Sequence, residues 1–227
     1  MIQAEHICKY YTNHNHTVRA VDDVSFTVAK HERVGIAGGS GSGKSTLLRL
    51  MAMLENTEIY RSLQMMFQNP LAVIPPRMNL ESFLLEPYIN YGLMDMAGAK
   101  EDIRKWIRHV DLPETIIQKY PHEVSGGQLQ RVVLARIMLM KPKLVLFDEP
   151  TSALDAVNQK LVLDLLQKLH KEQPFGYVFV SHDIGLLQAV TDRILVMKDG
   201  QIVENIESTR LKEAVHPYTQ ALVEASV

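Results

Sequence analysis

The stretch that most constrains this chain is Val34-Gly35-Ile36-Ala37-Gly38-Gly39-Ser40-Gly41-Ser42-Gly43-Lys44-Ser45-Thr46. Its apolar start reads as a buried strand, and the loop that follows has the spacing G-x-x-x-x-G-K-S before the apolar-periodic Leu47-Leu48-Arg49-Leu50. This order predicts a strand, a phosphate-binding loop and a helix start. Glycines let successive backbone N–H groups curl around a phosphate without a Cβ in the way, and the helix turns its positive dipole end toward the anion. On this reading the cradle is built from Gly38, Ser40, Gly41, Gly43 and Thr46. Lys44 brings its ammonium to the β- and γ-phosphates and Ser45 offers its hydroxyl to Mg²⁺.

Kinases, GTPases, helicases and transporter motors share such a loop, so the rest of the chain must narrow the field. At 227 residues it can bury a sizeable core, and one continuous unit with lobes is expected. A formal net charge of -2 leaves no electrostatic footprint for a nucleic-acid partner, which disfavours DNA repair. The single cysteine, Cys8, excludes an internal disulfide, points to a reducing compartment and is expected as a small buried residue. There is no run of about 18 apolar residues, and residues 1–6 lack a charged-then-apolar signal pattern. A soluble cytoplasmic protein is therefore expected; work at a membrane would need another protein to span it.

Strands are predicted over residues 2–10 and 24–28, joined by a polar loop around His14 and His16, as an antiparallel β layer beside the nucleotide core. Tyr10 and Tyr11 each suit either a β-layer position or stacking on a purine. A helix over 45–54 leads to a strand over 64–70, and then to a helical insertion in which Ile103, Trp106, Ile107 and Val110 share a face. Ser125-Gly126-Gly127-Gln128 opens another amphipathic helix with Ser125 at its N-cap, a second potential phosphate site. Leu144-Val145-Leu146-Phe147-Asp148-Glu149 reads as a buried strand ending in two carboxylates, which strand alternation points to opposite sides. One carboxylate suits Mg²⁺ and the other an attacking water. Tyr177-Val178-Phe179-Val180 is the next core strand, with His182 just beyond it. A helix, a hairpin turning at Asp199-Gly200, and a tail of short helices broken by Pro217 complete the chain.

Taken together and in order, these motifs resemble the ATP-binding subunits of ABC transporters over essentially the whole chain. Residues 38–45 resemble Walker A, Gln68 the Q-loop glutamine and residues 124–128 the signature motif. Residues 144–148 resemble Walker B, Glu149 the catalytic glutamate, Asp155 the end of the D-loop and His182 the switch histidine. The aromatic A-loop position falls on Tyr11, with Tyr10 as the fallback. Phe67-Gln68-Asn69-Pro70, Pro76-Arg77-Met78 and His216-Pro217-Tyr218-Thr219-Gln220-Ala221-Leu222 are similar to oligopeptide, dipeptide and nickel importer ATPases.

The resemblance implies an α/β fold: a P-loop NTPase core with an antiparallel β layer and an inserted α-helical lobe. The core and layer would take residues 1–68 and 126–207, the lobe 69–125 and a tail 208–227. It implies ATP and Mg²⁺ as cofactors, with Ser45, Gln68 and Asp148 around the metal. Glu149, His182 and Gln68 would serve catalysis, and Ser125, Gly126, Gly127, Gln128 and Asp155 would complete composite nucleotide sites. Implied partners are a second, different ATPase subunit, two transmembrane permease subunits and, indirectly, an extracytoplasmic substrate-binding protein, with no nucleic acid. The place implied is the cytoplasmic face of the cell membrane, as a peripheral protein. The cargo would be peptide, nickel or a metal–chelator complex.

Three departures from the family pattern stand out. Val124 replaces the usual leucine, a volume-tolerant change. His31 stands where a turn glycine is usual, so a positive φ is expected there. The stretch from Lys44 to Gln68 is shorter than the family norm by about two strands, on the order of 20 residues. A direct join through Asn56-Thr57-Glu58 would leave layer edges unpaired. A segment missing between Glu55 and Tyr60 is therefore expected, and an intact mass above 25.7 kDa should reveal it; a mass at that value would mean a trimmed layer.

Overall fold

A computed structural model describes residues 2–13, 16–53, 62–69 and 73–226. His14, the expected seam at 55–60, the expected helix end at Leu54 and the expected strand end at Pro70 lie outside the described residues. Two compact units emerge: residues 1–65, 143–149 and 174–227 form the first, and residues 66–142 and 150–173 the second.

The first unit is α/β. Strands β1 (Ile2–Asn13) and β2 (His16–Val28) pair antiparallel from Ile2 opposite Val28 to Asn13 opposite His16, with register shifts along the way. Both run further toward the turn than apolar alternation alone predicted, because the ladder continues through Tyr11–Val18 and Thr12–Thr17 pairs that gain from pairing rather than burial. The larger sheet contains β3 (Arg33–Ala37), β4 (Leu63–Met66), β5 (Leu144–Asp148), β6 (Gly176–Ser181), β7 (Arg193–Lys198) and β8 (Gln201–Glu207), in the order β4-β5-β6-β3-β7-β8. β3 runs parallel to both β6 and β7, and β5 runs parallel to β6. β7 and β8 form an antiparallel hairpin. Its Asp199 and Gly200 both have positive φ, 50° and 82°, the geometry that matches strand twist at a two-residue turn.

The central strands β5 and β6 are buried at every position rather than at alternate ones, as befits parallel strands covered on both faces. On one face Val21, Val24, Phe26 and Val28 of β2 join Leu47 and Leu48 of α1 (Lys44–Met53) over Ile36, Leu146, Val178 and Leu195. Each such side chain contributes roughly 1.5–3 kcal/mol on burial. Phe147, Tyr177 and Phe179 form an aromatic cluster, with Phe147 5.8 and 5.6 Å from the other two ring centres. The hairpin β7–β8 is flanked in sequence by α6 (Ile184–Val190) and by a 3₁₀ turn over Ser208–Glu213. As expected, the tail consists of short helices interrupted at Pro217, which takes the first position of α7 (Pro217–Glu224), where the missing N–H costs nothing.

Two local expectations resolve differently. His31 does adopt a positive φ, 63°. Cys8 is exposed rather than buried, its sulfur accepting the Asp23 N–H at 3.3 Å, because the bulged hairpin turns that position outward.

The second unit is helical, with α2 (Leu80–Tyr91), α3 (Met96–His109), α4 (Gly126–Leu139) and α5 (Ala156–Glu172). Packing therefore groups α4 and α5 with the helices of 69–125, whereas motif order alone associates them with the core. Each helix has a side-chain N-cap: Asn79, Asp95, Ser125 and Asp155 accept from Ser82, Gly98, Gln128 and Asn158 N–H respectively. α3 buries Ala99, Ile103, Trp106 and Ile107, one stripe at helical spacing. Arg136 of α4 clamps α2 by donating to the Phe83 carbonyl and, at 2.8 Å, to Glu86, with its guanidinium 4.2 Å from the Phe83 ring centre. No helix among the described residues is long and apolar enough to cross a membrane.

Arg136→Met should lower stability by about 2 kcal/mol, because it strips a carbonyl and a carboxylate of their donor at once. Urea denaturation measures this; an unchanged midpoint would mean that the clamp is replaced by water at no cost.

Candidate functional site

The site in the first unit follows from strand register. Ala37 pairs with Ser181, and Val180 pairs with Asp148. Three parallel strands therefore end level, and the residues just beyond them, Gly38, His182 and Glu149, emerge at the same carboxyl edge, where ligands of open α/β sheets bind.

The loop at 38–43 needs glycine for reasons of space. Gly43 has φ +102°, and a Cβ built on it would lie 2.0 Å from the Ala20 carbonyl oxygen. A Cβ on Gly38 would lie 2.3 Å from the Met197 oxygen. No side chain larger than hydrogen enters these positions without moving backbone. Ser40 and Gly41 are exposed at the loop's crest, and the first helical bond of α1 runs from Leu47 N–H to Gly43 O at 2.8 Å.

Lys44 is almost wholly buried, 5% exposed. Its ammonium donates to Gly38 O and Gly39 O, both at 2.8 Å, and approaches Ser42 Oγ at 3.4 Å. Burial pulls the Lys44 pKa below the usual lysine value, while the charges of Glu149 and Asp148 oppose that shift. Ser45 Oγ donates to Asp148 Oδ1 at 2.7 Å, so the hydroxyl and carboxylate read as metal ligands are already side by side. Asp148 is 4% exposed.

Strand alternation does not describe Glu149. β5 ends at Asp148, and Glu149 turns away at φ +46°, its N–H donating to Val180 O at 3.2 Å. A non-glycine residue in this conformation costs on the order of 1–3 kcal/mol and persists only where its surroundings enforce it. Its carboxylate lies 3.7 Å from His182 Nδ1. Tyr10 and Tyr11 are both half-exposed. The Tyr10 hydroxyl is committed to Asp22 at 2.5 Å, whereas Tyr11 has the Lys9 ammonium 5.5 Å from its ring centre.

The other candidate residues belong to the second unit. Gln68 Nε2 donates to Ser152 Oγ at 3.2 Å. Ser125 and Gln128 form a reciprocal capping box, at 3.3 and 3.0 Å, with Ser125 and Gly126 exposed. Gly127 lies against Asn158, whose Oδ1 would sit 2.9 Å from a Cβ at Gly127. Asn158 in turn is held by Asp155 through N–H and side-chain bonds of 2.9 and 2.7 Å. These bonds also hold the Asp155 carboxyl below the usual range. Gly127 and Asp155 are thus connected through Asn158, which sequence reasoning passed over. Gln130 was missed as well: 2% exposed, it donates to Pro150 O at 2.6 Å. An amide on the apolar stripe of α4 was the available signal.

The first-unit residues fit a nucleotide and its metal: a loop whose positions 38 and 43 admit no Cβ, a desolvated cation at its base, and a hydroxyl–carboxylate pair beside it.

Residues 21–152 match the family described as ABC transporter. The chain is 37% identical to the oligopeptide transport ATP-binding protein OppF of Haemophilus influenzae, over 92% of this chain and 70% of that protein. It is 37% identical to AppF of Bacillus subtilis, an oligopeptide transport ATP-binding protein, over 91% of this chain and 70% of that one. A putative peptide import ATP-binding protein of Brucella ovis is 35% identical over 99% of this chain and 78% of its own length. That alignment runs to 247 positions against the 227 residues here, so the relative carries residues with no counterpart in this chain. Among solved structures, the dimeric post-hydrolysis state of the ATP-binding cassette MJ0796 bound to ADP and Pi is similar with a TM-score of 0.82. Its identity is 27%, over 92% of this chain and 99% of that one.

Gly43→Ala and Gly41→Ala separate space from backbone conformation. Gly43→Ala should lose roughly 3 kcal/mol or more in urea denaturation, because it meets the Ala20 carbonyl. Gly41→Ala, with open space around it despite φ +79°, should lose only about 1 kcal/mol. Equal losses would refute the steric account.

Proposed function

Because this chain belongs to the ABC transporter family and is an ATPase of that kind, we propose that it powers peptide import through a separate permease at the cytoplasmic face of a membrane. The bond from Ser45 to Asp148, beside buried Lys44, is the observation that carries the catalytic part. The names of the OppF and AppF relatives support peptide over nickel or chelated metal as cargo.

The loop amides beyond Gly39 bind the phosphates, and Lys44 keeps its bond to the Gly38 carbonyl while turning the N–H that it gives the Gly39 carbonyl to a phosphate oxygen. That exchange is favoured because the ammonium is already desolvated. A Mg²⁺ ion held by Ser45 and Asp148 would supply neutralisation of phosphate charge. Glu149 orients the attacking water and accepts its proton, and its left-handed backbone aims the carboxylate off the strand. His182, paired with Glu149, contacts the terminal phosphate. Tyr11 stacks on adenine. Catalysis of this kind is positioning plus electrostatics.

The Ser125-Gly126-Gly127 loop faces outward and serves the nucleotide of a second ATPase subunit, while that subunit's signature loop serves this one. Asp155, tied to Gly127 through Asn158, makes the signature loop responsive to the same interface. The dimeric cassette with ADP and Pi supports this arrangement. The helical unit then works against two permease subunits, and a binding protein delivers cargo outside.

Glu149→Gln should reduce ATP turnover by on the order of 10³-fold while ATP still binds and gel filtration shows an ATP-dependent dimer. Undiminished hydrolysis would refute the assignment. Co-purification with a membrane permease tests the transport role, and a chain that purifies from membranes without one counts against it.

A further inference from the structure

One peptide unit of the phosphate loop is gripped from both sides. Its carbonyl, on Gly38, accepts from Lys44 Nζ at 2.8 Å, and its N–H, on Gly39, donates to Tyr218 Oη at 2.8 Å. A trans peptide is planar with C=O and N–H pointing in opposite directions, so these two bonds fix the orientation of a single plane. Glycine on both sides gives that plane unusual freedom to rotate. Rotation would swing Gly38 O away from Lys44 and turn an N–H toward a buried ammonium.

The tail is built to deliver the phenol. Glu204 of β8 accepts from the Val215 and His216 N–H groups at 2.7 and 3.3 Å, tying down the approach to α7. His216 Nδ1 accepts from Tyr218 N–H at 3.1 Å, capping the helix, and Pro217 pre-sets its first turn. Thr219 is fully buried, and the Lys198 ammonium lies 5.3 Å from the Tyr218 ring centre. The His216-Pro217-Tyr218-Thr219 stretch thus has a physical task at the loop.

The geometry points to Tyr218 as a positioning residue for nucleotide binding: through Gly39 N–H it holds the 38–39 peptide in the orientation in which Gly38 O receives Lys44. This rests on reading residues 38–46 as a triphosphate site. A loop ordered in advance binds phosphate without the cost of ordering it at that moment. The tail is therefore part of the nucleotide site, although Tyr218 lies 179 residues beyond Gly39 along the chain.

Tyr218→Phe removes the hydroxyl and keeps the ring. In the full-length chain it should weaken both ADP and ATP roughly fivefold by titration calorimetry. Without nucleotide, the Gly39 amide should exchange with solvent faster by a similar factor, and the melting temperature should fall by no more than about 2 °C. Unchanged affinity for both nucleotides overturns the inference, whether or not stability falls, since tail packing alone would then explain the contact. Faster exchange without an affinity change overturns it too. A wild-type chain that binds neither nucleotide would sink the triphosphate reading and this inference with it. That result is distinct from wild-type binding that Tyr218→Phe leaves untouched.

Discussion

The parallel register of β5, β6 and β3 is the constraint on which the candidate site depends. Side by side, Asp148, Val180–Ser181 and Ala37 end their strands at one level, so that three loops distant in sequence begin within reach of one another. Slipping one strand by a single residue would exchange its faces and carry its terminal residue out of the constellation. The apolar packing of β2 and α1 against this sheet is what makes such a slip expensive.

On that scaffold the local chemistry is held under tension. Lys44 is stripped of most of its water, and two carbonyls and a hydroxyl stand in for the lost solvent. The negative charges of Asp148 and Glu149 offset part of the cost. Glu149 is kept in a left-handed conformation at the end of β5. A buried cation and a strained acid are expensive for stability, and both stand beside the loop that a phosphate would enter. The second unit has its own coherence: Asp155 holds Asn158, and Asn158 lies against Gly127, so Asp155 and the residues at the start of α4 are structurally linked.

Much of this was legible beforehand because it rests on short-range rules. Glycines at 38 and 43, the Ser125 capping box, the apolar stripe of α3 and the Asp199-Gly200 turn all follow from what neighbouring residues can do to one another. The errors had longer reach. Cys8 was expected inside because thiols favour burial, but a bulged hairpin turns it out. Asp148 and Glu149 were expected to alternate, but the strand ends between them.

By itself the sequence determined the kind of loop, the identity of the groups around it and the family to which the chain belongs, because spacing along a chain dictates local backbone geometry and its hydrogen-bonding groups. Only the tertiary structure decided that Lys44 is buried, that Asn158 rather than a nearer residue closes on Gly127, and that a phenol from the tail takes a loop amide. Those outcomes depend on which surfaces are left to one another once the sheet has formed, and no periodicity within a segment encodes a contact between Gly39 and Tyr218.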